Sequence, residues 1–297
     1  MSRAALLALL LFACGGNHAA PPDAVPAVAT PAQPDAAPKA GFLLAEVNGD
    51  VRVATDAEFH PAPPGGGEVA GGARIRTGPG ASAILRAPDG TEIALADGVD
   101  ISVEEISSTV ARFALGRGKV RAASPGVRQV TVDSSGAHTE ARGARFTIYT
   151  SPRGLVAVAS EAGSVKVRAQ NREVQVAAGQ QSIVPPHRPP GDPVPVPDEV
   201  FLRVDWPGET LKREPETLVR GRARPGERVR VNGVETDVSE GGTFVAKVRL
   251  KEGKNAPLVV EAEAIDGKRR QLRGPAVEVR SNLNVEVKPV EWGVPKK

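Results

Sequence analysis

The chain has 297 residues, room for two domains of ordinary size. Its 32 Gly and 27 Pro, with only 3% aromatic residues, point to many turns and a core of Val, Ala, Leu and Ile, the profile of short strands rather than long helices. A formal net charge of +3, from 38 Lys and Arg against 35 Asp and Glu, is too small an excess to make nucleic acid the partner, and a single cysteine excludes an internal disulfide framework.

Residues 1–13 read as a signal peptide: Arg3 supplies the charged start, Ala4 to Ala13 an apolar run, and a small residue precedes Cys14. The run is shorter than the ~20 residues a membrane-spanning helix needs. Residues 14–40 read as a disordered tether, because Ala19 to Ala40 contains six prolines and nine alanines and almost nothing large enough to bury. At ~3.1 Å per residue, a polyproline path from Cys14 to Gly41 reaches about 80 Å. Such a tether offers Cys14 neither a core to enter nor a catalytic partner.

Residues 41–184 carry repeated alternating segments, among them AEVNGDVRV, ARIRT, TEIALA, ARFAL, GKVRA, RQVTV, ARFTIY and SVKVRA. Period-two alternation broken by Gly, Pro or Asp-Gly predicts half-buried antiparallel strands, so this is an all-β domain. Gly49 to Val53, Gly118 to Ala122 and Gly163 to Val167 share one form: a turn glycine launches a strand whose valine points inward while the basic residue points to water. Residues 185–199 are proline-rich, with seven prolines in the thirteen positions PPHRPPGDPVPVP, and read as a semi-rigid linker.

Over residues 200–281 the segments FLRVDW, ETLVRGRA, ERVRVNGVETDV, TFVAKVRL, APLVVEAEAID and AVEVRS predict about seven short strands, arranged as an immunoglobulin-like β-sandwich. Asn232-Gly233 is the strongest hairpin signal in the chain, since both central residues of a type I′ turn need positive φ. Residues 282–297 form a C-terminal tail. It either adds an edge strand around Val285 to Val287 or trails off loosely, and the loose tail is the preferred reading.

Chemistry-bearing patterns are sparse. His18, His60, His138 and His187 fall in tether, loop, turn and linker, and none pairs with another ligand at metal spacing, so no metal or cofactor is expected. Ser134, Ser135 and His138 lack the elbow and the third orienting residue of a nucleophile site and read as a hairpin loop. Gly116-Arg117-Gly118-Lys119 ends like a phosphate loop, but Phe113 stands where that loop needs Gly and Val120 where it needs Ser or Thr; it reads as a turn leading into a strand. Asp89, Asp97, Asp100, Asp133 and Asp266 read as local turn caps. The one constellation with functional promise is basic: Arg220, Arg222 and Arg224 on one face of a strand and Arg228 and Arg230 on one face of the next. They form either an anion- or partner-binding surface or merely a solvated face, and the solvated face is the preferred reading.

Three resemblances follow from these residues. GDVRV, RIRTGPGASAILRAPDGTEIALADGVDISV, FALGRGKVRA, ARGARFTIYT and VAVASEAGSVKVRAQNREVQVAAGQQSIV, over residues 46–184, resemble the FecR-type periplasmic domain. One departure is Gly143-Ala144-Arg145-Phe146, where that family usually has Gly-Thr-x-Phe. The resemblance implies a non-enzymatic extracytoplasmic module that makes protein contacts. VRGRARPGERVRVNGVETDVSEGGTF and VRLKEGKNAPLVVEAEAIDGK resemble the bacterial Ig-like domains found beside secreted glycosidases, which are accessories without catalytic residues. Leu11-Phe12-Ala13-Cys14 resembles the bacterial lipobox, although Phe12 is bulkier than usual there; the resemblance implies lipidation of Cys14 and anchoring to a membrane. The expectation is therefore a non-enzymatic lipoprotein of the bacterial cell envelope, at the outer membrane facing the periplasm or the surface. It would act as an interaction or scaffolding protein whose partner is an envelope protein or glycan. A glycan- or peptidoglycan-binding module is the alternative, and a signal-sensing envelope component the third reading.

Overall fold

The computed structural model describes residues 41–208, 211–212 and 215–279, and every regular element among them is a β-strand. The signal peptide, Cys14, the tether over 14–40 and the tail over 282–297 lie outside the described residues.

Strands from Phe42–Asn48 to Val194–Pro195 join one fifteen-stranded sheet. Its spine is two long strands, Val110–Ser134 and Ala137–Thr150, antiparallel along nearly the whole length of the shorter one. The two are joined at Ser135-Gly136, both at positive φ (46° and 83°), the geometry of a tight hairpin. On its other side Val110–Ser134 pairs first with Asp100–Ile106 and then with Glu92–Leu95. The alternation suggests three separate strands here, ARFAL, GKVRA and RQVTV, yet the chain runs straight through. Leu115 and Val120 on either side of the glycines are both buried, so the inward face continues unbroken and nothing is gained by turning. Gly118 is instead a point of close approach. It sits at φ 97°, and a Cβ there would lie 2.7 Å from the Val99 Cα. The shared glycine-valine pattern holds in its burial: Val51, Val120 and Val165 are 3%, 0% and 0% exposed, while Arg52, Arg121 and Lys166 face water.

One apolar cluster fills this region, with Phe42 and Phe113 edge to face at 5.6 Å and Phe146 fully buried. Truncating such a ring costs about 3–5 kcal/mol. Ala144, where the resemblance led one to look for a hydroxyl, is 5% exposed, and the methyl packs against Gly163, whose Cβ would come within 3.0 Å of it. The proline-rich segment does not stand free as a spacer. Val194–Pro195 pairs with Gln180–Val184, the Gly191 amide donates to the Ile183 carbonyl at 2.9 Å, and Val196 donates to Gly179 at 2.9 Å. Proline is tolerated there because the strand is an edge.

Residues from Val200 onward fill a second cluster between two sheets, a β-sandwich. One sheet orders Leu202–Asp205, Glu216–Ala223 and Thr243–Arg249. The other orders Leu211–Lys212, Arg269–Val279, Gly253–Glu263, Arg228–Val231 and Val234–Thr236. Val219, Leu258, Val260 and Val277 are fully buried between them with Phe244. Asn232 and Gly233 take φ 49° and 80°, the expected type I′ hairpin.

Candidate interaction site

The sandwich carries the pattern Arg-x-Arg on two strands, and the fold treats the two copies differently. In Glu216–Ala223 the odd positions Thr217, Val219, Gly221 and Ala223 are buried, which turns Arg220 and Arg222 to the outside of the three-stranded sheet. Register places Arg203 opposite Arg222 and Asp205 opposite Arg220 on one side. Thr243, Val245, Lys247 and Arg249 lie opposite Arg222, Arg220, Leu218 and Glu216 on the other. The outer face therefore holds Arg203, Arg220, Arg222, Lys247 and Arg249 against Asp205 and Glu216. Lys247 pairs with Glu216, and Arg203 lies 3.9 Å from Asp205. Arg220, Arg222 and Arg249 have no carboxylate within ion-pair distance among the described residues. Leu218 and Val245 stand exposed between them, at 46% and 56%. Arg224 leaves this face: it donates to the Glu199 carbonyl, lies 3.6 Å from Glu227 and reaches over the Phe201 ring at 5.9 Å.

Arg228 and Arg230 point the other way, into a seam between the sandwich and the first sheet. The loop after Glu92–Leu95 brings Asp97 between them. Arg228 Nη1 lies 3.0 Å from Asp97 Oδ1 and its Nη2 donates to the Asp97 carbonyl at 2.9 Å; Arg230 Nη2 reaches both Asp97 carboxylate oxygens at 2.7 Å. Arg228 Nε also donates to Glu235 at 2.7 Å, and Glu235 accepts the Tyr149 hydroxyl at 2.9 Å. Lys119 Nζ crosses the same seam to Glu263 at 2.7 Å and to the Ala264 carbonyl at 3.1 Å. Tyr149, Ala157, Ala159 and Ile265 form a third, small apolar cluster beside these pairs. Gly98, at φ 70°, lets Arg228 in: a Cβ there would lie 2.9 Å from Arg228 Nη2.

The electrostatics follow from this packing. Burial works to raise the Asp97 carboxyl, but the guanidinium groups of Arg228 and Arg230 outweigh it and hold the group below the usual carboxylate range. Burial would lower Arg228, yet Glu235 and Asp97 keep its guanidinium above the ordinary value. The Tyr149 phenol is pushed well up, first by burial and then by the Glu235 charge. These pairs use up the charges they hold. The seam fixes the two halves and presents little to a ligand, and the described residues fall in one compact unit.

Of the aspartates, Asp89 and Asp266 do cap turns, accepting from the Thr91 and Lys268 amides. Asp97 does more, and Asp100 and Asp133 pair with Arg76 and His138. Ser134 spends its hydroxyl on the Leu115 carbonyl, 2.6 Å away, and on Thr150, while His138 is held by Asp133 across the hairpin. Among the described residues no group of three or more His, Cys, Asp or Glu could hold a metal ion, and no helix is long and apolar enough to cross a membrane. The seam roles of Asp97, Lys119, Tyr149, Glu235 and Glu263 escaped the sequence. Their partners are 86 to 144 residues away or lie across a sheet, as with Tyr149 and Glu235 or Lys119 and Glu263. The one available signal was the acidic set Glu235, Glu261 and Glu263, on strands flanking two arginines.

Residues 73–166 match the family model described as FecR protein. Two crystal structures of a protein from Parabacteroides distasonis ATCC 8503, assigned as an anti-sigma factor, align at 22% and 21% identity with a TM-score of 0.34. Each alignment covers 37% of this chain and 54% of that chain, so this chain spans about half the length of that protein. No curated protein matches.

Proposed function

We propose that this chain is a non-enzymatic cell-envelope interaction protein, held at a membrane through a lipidated Cys14, which docks an acidic protein partner on the outer face of its three-stranded sheet. One observation carries the reading: Arg220, Arg222 and Arg249 make no ion pair with a carboxylate among the described residues, on a face where Leu218 and Val245 are exposed. Arginine beside uncovered apolar side chains is the composition of a docking patch, in which the guanidinium groups steer and orient while the apolar groups are buried on contact. The match of residues 73–166 to the FecR family supports an envelope setting, as does the resemblance of the sandwich to bacterial Ig-like accessory domains.

The same match favours a second reading, a signal-sensing component, in which the seam would couple a partner on the sandwich to the FecR-type sheet. The glycan-binding alternative has less support, because stacking on sugars needs an open aromatic platform. Trp206, the tryptophan among the described residues, is half-buried and its ring covers Gly274.

The test is crosslinking in intact cells with the full chain and with a variant carrying Arg220→Glu, Arg222→Glu and Arg249→Glu. Loss of the crosslinked partner in the variant is expected. Unchanged crosslinking would return this face to plain solvent exposure, and sedimentation of the purified protein with cell-wall sacculi would favour the glycan reading. Palmitate labelling that disappears in Cys14→Ser is the expected result for the anchor, and a lipid-free mature protein would refute it.

A further inference from the structure

Among the described residues, the three-stranded sheet ends in an open edge. Thr243–Arg249 pairs with Glu216–Ala223 on one side, and on the other it faces the edge strand Val234–Thr236 of the second sheet across a groove of about 480 Å³. Along an antiparallel edge, backbone groups of alternate residues point away from the partner strand. Here the outward set is identified by its contacts. Thr243 bonds to Ser239 on the open side, and the Val245 carbonyl accepts the Thr236 hydroxyl there, at 3.3 Å. Lys247 and Arg249 follow in the same phase, so their amides and carbonyls face the groove. Val234, at 71% exposure, and Val245 rim it, while Val231 and Val248 form its floor. An uncovered edge beside uncovered valines is an arrangement that proteins otherwise blunt or pair.

We propose that this groove is a strand-addition site filled in cis by residues 283–288 of the C-terminal tail, Leu-Asn-Val-Glu-Val-Lys. Three observations select that occupant. Its alternation puts Leu283, Val285 and Val287 on one side, to cover the floor valines, and Asn284, Glu286 and Lys288 on the other. Glu286 then stands on the face that carries Lys247 and Arg249, where a carboxylate is wanted, and Pro289 ends the strand. The reach also fits. The described chain leaves at Val279, opposite Gly253, which follows Arg249 by four residues, so the exit lies at the Arg249 end of the groove. The six residues from Val279 to Val285 span up to about 20 Å, against ~5 Å between neighbouring strands and ~10 Å between sheets. A strand entering from that end runs antiparallel to Thr243–Arg249.

Amide exchange of the full chain, followed residue by residue by NMR, tests this against a Val285→Asp, Val287→Asp variant. An unchanged Val260 amide reports that the variant keeps the core of the sandwich. In the parent chain the Lys247 and Arg249 amides exchange slowly, and in the variant they accelerate by about tenfold or more. Equal rates in the two chains overturn the proposal. Protection that weakens on dilution also overturns it, since the added strand would then come from a second copy.

Discussion

Arg220-Gly221-Arg222 and Arg228-Val229-Arg230 are the same written pattern on successive strands of the chain, and they have opposite fates. The first pair faces water with no carboxylate in reach among the described residues. Arg228 is 4% exposed and divides its guanidinium between Asp97 and Glu235, and Arg230 clasps the same aspartate. Alternation says which residues share a face of a strand; it does not say whether something packs on that face. The difference is made by Asp97, 131 residues earlier in the chain, which a turn delivers to the second pair and not to the first.

The largest effect expected from this contrast is at Arg228. Replacing it with alanine leaves Asp97 and Glu235 at a buried seam without their cation, and losing one member of such a pair costs about 3–5 kcal/mol. Urea unfolding of Arg228→Ala and of Arg222→Ala measures the gap. If the two variants unfold at the same midpoint, the seam does not separate the two strands energetically.

Acid should act on the same group. Asp97 has a folded-state pKa below its unfolded value, so its contribution is present above about pH 4, the usual carboxylate range, and is lost as pH falls through the lowered value. Tyr149 runs the other way. Its raised pKa gives a contribution present below about pH 10 and lost as pH rises through the folded value. Stability followed by urea between pH 5 and pH 2 should therefore fall, and fall less steeply in Asp97→Asn. An unchanged slope in that variant would place the acid sensitivity elsewhere, for example at Asp89, whose carboxyl burial works to raise but the Thr91 hydrogen bonds and then Arg128 hold below the usual range.

These two cases show how far the sequence can be read. Period-two alternation was enough to predict an all-β chain, the inward valines at 51, 120 and 165 and the Asn232-Gly233 hairpin, because each depends on neighbours a few residues away. It misjudged Gly116 to Gly118 as a turn because a glycine needed for strand crossing at Val99 looks the same as one needed for turning. It assigned Arg228 and Arg230 to a surface because burial of a charge is decided by its counter-charge, and that counter-charge looked like a turn cap. Composition makes the proline-rich segment look like a spacer, whereas its edge pairing depends on backbone groups that composition does not reveal.

Gly98 offers a finer probe of the same contact. Its positive φ costs an L residue about 1–2 kcal/mol, and the added methyl would also press on Arg228 Nη2. Gly98→Ala should thus be destabilised by more than that amount in the parent and by about that amount in an Arg228→Ala background, where the crowding is gone but the backbone strain remains. Equal losses in both backgrounds would mean that the glycine serves the turn alone.

The smallest effect on stability is expected where the largest effect on binding is. Arg220→Ala and Arg222→Ala remove side chains that hold nothing in place among the described residues, so each should change unfolding free energy by no more than about 0.5 kcal/mol. The combined variant should nonetheless lose the partner that intact cells crosslink to this face. Measuring both quantities on one protein separates the two roles of the repeated pattern. Substitution of the buried pair would lower stability and binding together, because the proposed docking face is carried on the sandwich those residues hold, whereas the exposed pair would lower binding alone. A stability loss at Arg222 comparable to that at Arg228 would show that the outer face is covered, by the tail or by another segment, and that it is a second seam rather than a docking surface.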